Sequence, residues 1–168
     1  MMKKSGFTLV EMLLYMAILS VILFALSSFA FMSFQSRIKN QTIAEVEQQG
    51  NQIMDIILQT VRNSAAINSP AVQASGTSLS VNTYFGATTP TVFALSGSNI
   101  QMTEGAGSAV NLTGGRVAAS VVSFSNLSES GAPGMVRAQF TLTYINNAGT
   151  NEYDFNKTFY GTASLRWP

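Results

Sequence analysis

From Phe7 to Phe34 the chain reads FTLVEMLLYMAILSVILFALSSFAFMSF, a run of 28 residues that is apolar almost throughout. A bilayer core about 30 Å thick is crossed by about 20 apolar residues of helix, and this run would reach about 42 Å at about 1.5 Å per residue. It exceeds the roughly 7–15 residues of a secretory signal core. A cleaved signal using the small residues from Ala25 to Ser28 is the competing reading, and a membrane-inserted helix is the expected one. Lys3 and Lys4 precede the run and Arg37 and Lys39 follow it, which leans toward a cytoplasmic N-terminus. One carboxylate breaks the pattern: Glu11 is the only charged side chain between Lys4 and Arg37.

Nothing in the following residues stops the helix at the membrane surface. No proline occurs before Pro70, and Gly50 is the only glycine between Gly6 and Gly76. Ile43, Val46, Gly50, Ile53, Ile57 and Val61 recur at three- and four-residue spacing among Lys39, Glu45, Glu47, Gln48, Gln52, Asp55 and Arg62. That is one apolar stripe on an otherwise wet helix. The stripe reads as a core face for the C-terminal part, with a coiled-coil seam as the alternative. Gly50 reads either as a tolerated surface residue or as a bend, at about 1 kcal/mol relative to Ala. One helix from Phe7 to about Asn63 results.

After Ser64 the composition turns to Ser, Thr, Asn, Gly and Ala with β-branched and aromatic residues, and Ser69-Pro70 ends helical territory. Strands are expected at Ser78–Phe85, Thr91–Leu95, Asn99–Thr103, Ala109–Leu112 and Arg116–Phe124, with a tight hairpin at Ser96-Gly97-Ser98. Alternation is clearest at the end. Val136, Ala138, Phe140, Leu142 and Tyr144 share a face, as do Phe159, Gly161, Ala163, Leu165 and Trp167, around an Asn/Gly-rich loop at 146–151. The expected fold class is α+β: a long N-terminal α-helix, transmembrane then amphipathic, on a C-terminal antiparallel β-sheet head. The expected divisions are 1–6, 7–63 with its membrane segment 7–34, and 64–168.

The chain has neither Cys nor His, which excludes thiol chemistry, Cys/His zinc sites and His-based acid–base catalysis. Only 10% of residues are charged and the net charge is +1, so no basic field argues for nucleic acid. Glu152 and Asp154 would share a strand face, yet two carboxylates fall short of the six or more oxygens calcium takes. Asn111-Leu112-Thr113, Asn126-Leu127-Ser128 and Asn156-Lys157-Thr158 match the glycosylation triplet at a frequency chance explains. Tyr84, Phe85, Phe93 and Phe140 read as core. No catalytic, cofactor or metal site is expected.

The basic leader Met1–Ser5, then Gly6, then Phe7-Thr8-Leu9-Val10-Glu11 running into the apolar helix resembles the type IV pilin family. That family includes the pseudopilins of type II secretion and competence systems. The resemblance covers about the first 30 residues directly and the head only in layout. It implies that a prepilin peptidase cuts between Gly6 and Phe7 and methylates the Phe7 amine, and that mature helices pack together in a filament. The cut removes Lys3 and Lys4, leaving seven basic against eight acidic side chains. In a core of helices Glu11 would be an expensive unpaired carboxylate, and the Phe7 amine of a neighbouring subunit is its natural partner, setting axial register. A carboxylate merely reaching the headgroups is the plainer alternative.

The helix lacks the prolines and the head lacks the cysteine pair that many major pilins carry, which fits a minor pilin or a pseudopilin. Keeping Glu11 argues against the tip-most pseudopilin type. The expected function is therefore that of a non-enzymatic structural subunit, a minor pilin, whose partners are other pilin subunits, the prepilin peptidase, an inner-membrane assembly platform and the membrane itself. It would reside first as a single-pass protein of the cytoplasmic membrane, head outside, and then in an extracellular or periplasmic filament. The alternatives are a pseudopilin of a type II secretion or DNA-uptake machine, and a membrane-tethered adhesin that does not polymerise.

Overall fold

The structure, a computed structural model, describes residues 8–166. It opens with α1, Leu9–Arg62, followed by β1 (Ser64–Ser69), β2 (Ser75–Gly76), β3 (Ser78–Thr83), β4 (Thr91–Ser96), β5 (Asn99–Glu104), β6 (Val110–Asn111), β7 (Val117–Asn126), β8 (Met135–Tyr144) and β9 (Asn156–Ser164). The strands form two antiparallel sheets, one ordered β1-β3-β4-β5-β6 and the other β2-β7-β8-β9. The α+β class expected from the sequence is observed, with two sheets where the alternation suggested one. Two compact units divide within α1, one running up to Asn40 and the other from Gln41 onward.

In the second unit the helix stripe is the core face. Val46, Ile53, Ile57 and Val61 are buried as expected; Thr42, Gly50 and Met54 join them, while Ile43 is only half-buried. The stripe shares one cluster with Leu79, Val81, Phe93 and Ile100 of the first sheet and Phe124, Val136, Ala138, Phe140 and Leu142 of the second. The coiled-coil alternative for these residues falls away, since the chain's own head takes them up.

Gly50 is neither a surface residue nor a bend. The helix continues through it, and a Cβ there would lie 2.0–2.4 Å from the Phe159 ring. The reciprocal fit is Gly161 on β9, where a Cβ would lie 2.4 Å from the Met54 sulfur and 3.1 Å from Leu58 Cδ1. A glycine on each element thus receives a large side chain of the other. Phe159 also stacks on Phe140 with ring centroids 5.4 Å apart. Burying such a side chain stabilises by about 1.5–3 kcal/mol, more than the roughly 1 kcal/mol the helix loses by carrying glycine.

The helix ends well before Pro70. The Ser64 hydroxyl, fully buried, donates to the Thr60 carbonyl at 2.6 Å and satisfies one of the last-turn acceptors, and β1 begins at that serine. Arg62 in the last turn complements the helix dipole. The expected hairpin is present: Ser96 pairs with Asn99 and Gly97 takes φ +60. In β7 a bulge between Ser120 and Ser123 shifts the alternation, so Val117 and Ala119 face inward before it and Val122 and Phe124 after it. Val121 absorbs the shift at φ +52 and is 65% exposed. A β-branched residue there costs about 1–2 kcal/mol. Without the bulge Ser123 would enter the core in place of Phe124, a larger loss.

Several local expectations change. Tyr84 and Phe85 are exposed, in contrast to the buried Phe93 and Phe140. Glu152 lies in a 3-10 turn at Asn151–Tyr153 with Asp154 just after it, so the two do not share a strand face. Asn126 is buried; its amide nitrogen donates to the Pro70 carbonyl and its oxygen accepts from the Ser128 N–H, so that triplet shapes a turn instead of offering a glycan site. Trp167 lies outside the described residues.

The interlock predicts that Gly50→Ala destabilises the full-length protein by about 1–2 kcal/mol, because overpacking outweighs the gain in helix propensity. Thermal melting in detergent micelles should show a lower midpoint, with partial recovery when Phe159→Leu is added. An unchanged or higher midpoint for Gly50→Ala alone would contradict the fit.

Candidate functional site

The first unit presents its apolar side chains outward. Residues 12–37 of α1 are exposed on every side, and α1 is the one helix among the described residues long and apolar enough to cross a membrane. The polar side chains in the run are partly neutralised from within: Ser20 donates to the Ala17 carbonyl at 2.8 Å and Ser28 to the Phe24 carbonyl at 3.0 Å. A helix of this kind fits membrane anchoring, since its backbone bonds are internal and its surface asks nothing of lipid.

Glu11 stands at the start of that helix, half-buried, in its first turn. Thr8 directly precedes α1. The Glu11 N–H donates to the Thr8 hydroxyl at 3.3 Å, and the Glu11 carboxylate accepts from the Thr8 N–H at 3.5 Å. This reciprocal pair is a capping box, which satisfies two of the four donors a helix N-terminus leaves open. The carboxylate also complements the positive end of the helix dipole. Its other oxygen accepts from the Tyr15 hydroxyl at 3.2 Å. Thr8, Glu11 and Tyr15 fall within about 60° of arc at about 100° per residue, so all three lie on one side of the helix.

The sequence expectation named Glu11 but not Thr8 or Tyr15. A signal for the first was present, since Thr8-Leu9-Val10-Glu11 has the capping-box spacing ahead of an apolar run. The i, i+4 spacing of Glu11 and Tyr15 is the second. Gly6 and Phe7, the expected cleavage and methylation positions, lie outside the described residues. Farther along the same helix, Ala17, Ile18, Val21 and Ile22 line an open apolar depression of about 310 Å³.

The second unit offers different chemistry. On the second sheet, Arg137, Gln139, Tyr160, Gly161 and Thr162 line an open concavity of about 390 Å³. On its edge strand β9, Lys157 donates to Glu47 of α1 at 2.6 Å and lies 5.7 Å from the Phe159 ring centroid. Both side chains of that pair are 43% exposed, so it contributes at most about 1 kcal/mol and chiefly fixes position. No group of three or more acidic side chains placed to hold a metal ion occurs among the described residues.

Residues 1–27 match the family described as the prokaryotic N-terminal methylation motif. Neither a curated protein nor a solved structure matches the chain. The motif match takes in Gly6, Phe7 and the Thr8–Glu11–Tyr15 side of the helix, and points to a structural subunit rather than an enzyme. It supports a precursor of the type IV pilin or pseudopilin kind.

Proposed function

We propose that this chain is the precursor of a minor structural subunit of a type IV pilus-like filament, cut between Gly6 and Phe7 and methylated on the Phe7 amine. The observation that carries the proposal is the N-terminal methylation motif at residues 1–27, set on a helix whose apolar surface is exposed all round. Before the cut, Lys3 and Lys4 hold the N-terminus at the charged membrane face. After it, the new amine stands one residue ahead of the Thr8 cap.

That location gives the amine a reason to seek a carboxylate. A positive charge at a helix N-terminus opposes the dipole, whereas Glu11 complements it. In a water-poor core of helices an unpaired charge of either sign is expensive, so the Phe7 amine of one subunit pairs with Glu11 of the next. Axial offsets that leave both charges alone are penalised, and the pairing sets the register. The exposed apolar surface of residues 12–34 passes from lipid to the helices of neighbouring subunits, with little change in what it touches. The partners are accordingly the prepilin peptidase, an assembly platform in the membrane and other pilin subunits.

Two outcomes follow. Intact-mass analysis of the protein from a host with an active peptidase should place the N-terminus at Phe7, about 14 Da heavier for one methyl group. Retention of Met1 in that host would contradict the proposal. Glu11→Ala should reach normal membrane levels yet enter filaments at least about tenfold less, because a buried charge left without its partner costs about 3–5 kcal/mol. Incorporation at the level of the unaltered protein would contradict the pairing, and absence of the unaltered protein itself from filaments would favour a tether that does not polymerise.

A further inference from the structure

We infer that Tyr15 is a positioning residue for Glu11: its hydroxyl holds the carboxylate in the orientation that receives the neighbouring amine. The inference rests on the filament reading above and adds a residue to it. Of the six aromatic side chains in the run, at 7, 15, 24, 29, 31 and 34, five are Phe and only Tyr15 carries a polar tip. It falls four residues after the only carboxylate of the run, where an i, i+4 contact forms, and its hydroxyl donates to Glu11 Oε1 at 3.2 Å. A phenol in apolar surroundings needs a hydrogen-bond partner, and Glu11 supplies it.

The hydrogen-bond accounting of the carboxylate makes the role specific. An ionised carboxylate offers about four lone-pair sites. The Thr8 N–H takes one on Oε2 and the Tyr15 hydroxyl one on Oε1, leaving about one on each oxygen. A singly methylated ammonium brings two N–H donors. In lipid headgroups water takes the place of a lost Tyr15 bond, so the carboxylate's surroundings change there at little cost in energy. In a water-poor helix core an unfilled acceptor costs its full desolvation. Tyr15 therefore acts in the filament, through Glu11, and fixes one oxygen while the amine approaches the other sites.

Tyr15→Phe keeps the ring and removes only the hydroxyl. It should accumulate in the membrane at normal levels and enter filaments roughly three- to tenfold less. In membranes containing the full-length protein, the infrared band of the Glu11 carboxylate, assigned by its loss in Glu11→Gln, should move in Tyr15→Phe. A ring that serves packing alone leaves that band in place, and then Tyr15→Leu is defective while Tyr15→Phe is not. An unmoved band, or normal incorporation of Tyr15→Phe, overturns the inference. Normal incorporation of Glu11→Ala overturns the Glu11–amine pairing instead, and absence of the unaltered protein from filaments overturns the filament reading, so the failures are separable.

Discussion

The second unit depends on how closely helix and sheet approach. Gly50 admits the Phe159 ring and Gly161 admits the Met54 side chain, so each surface is cut away where the other protrudes. An alanine at either position would crowd the side chain it faces and loosen the packing of the buried stripe from Val46 to Val61 on the sheet residues around Phe140 and Leu142. The Glu47–Lys157 pair and the bond from the Gly114 N–H to Gln49 Oε1, at 2.8 Å, fix the helix at two further points of the head. Most of the energy lies in the apolar fit; the polar contacts add direction.

The first unit obeys the opposite rule. Its side chains are exposed, so its partners lie outside the chain: lipid in the precursor and, on the proposed reading, other helices in the filament. A surface so uniform carries little positional information, since one apolar offset resembles another. A single charge changes that. Glu11 closes the capping box with Thr8 within its own chain, and lone-pair sites beyond Thr8 and Tyr15 are left for a partner. Glu11 thus caps the helix, and on the proposed reading the same residue provides the feature by which neighbours align.

Periodicity made much of this legible in the sequence. The apolar run, the stripe on residues 46–61 and the alternation of β8 each repeat a simple spacing, and the structure follows them. What stayed hidden depended on partners distant in sequence or on departures from period. The role of Gly50 is set by Phe159, more than a hundred residues later, and no local pattern reports that. The β7 bulge breaks the alternation at Val121, so a strict two-residue rule misplaces Ser123 and Phe124. The end of the helix near Asn63 was legible from the change of composition at Ser64, while the Ser64 hydroxyl bond to the Thr60 carbonyl that closes the last turn was not. At the candidate site Glu11 stood out by its charge, while Thr8 and Tyr15, being uncharged, did not.

The central claim is that Glu11 of one subunit meets the Phe7 amine of another only after assembly. An apolar carbodiimide, which joins a carboxylate to an adjacent amine without a spacer, tests it directly. Filaments assembled from a mixture of nitrogen-14 and nitrogen-15 chains should yield a Phe7–Glu11 amide peptide carrying both labels, and the unassembled membrane pool should not. Amide formed only within single chains, or found equally in the membrane pool, would contradict the account.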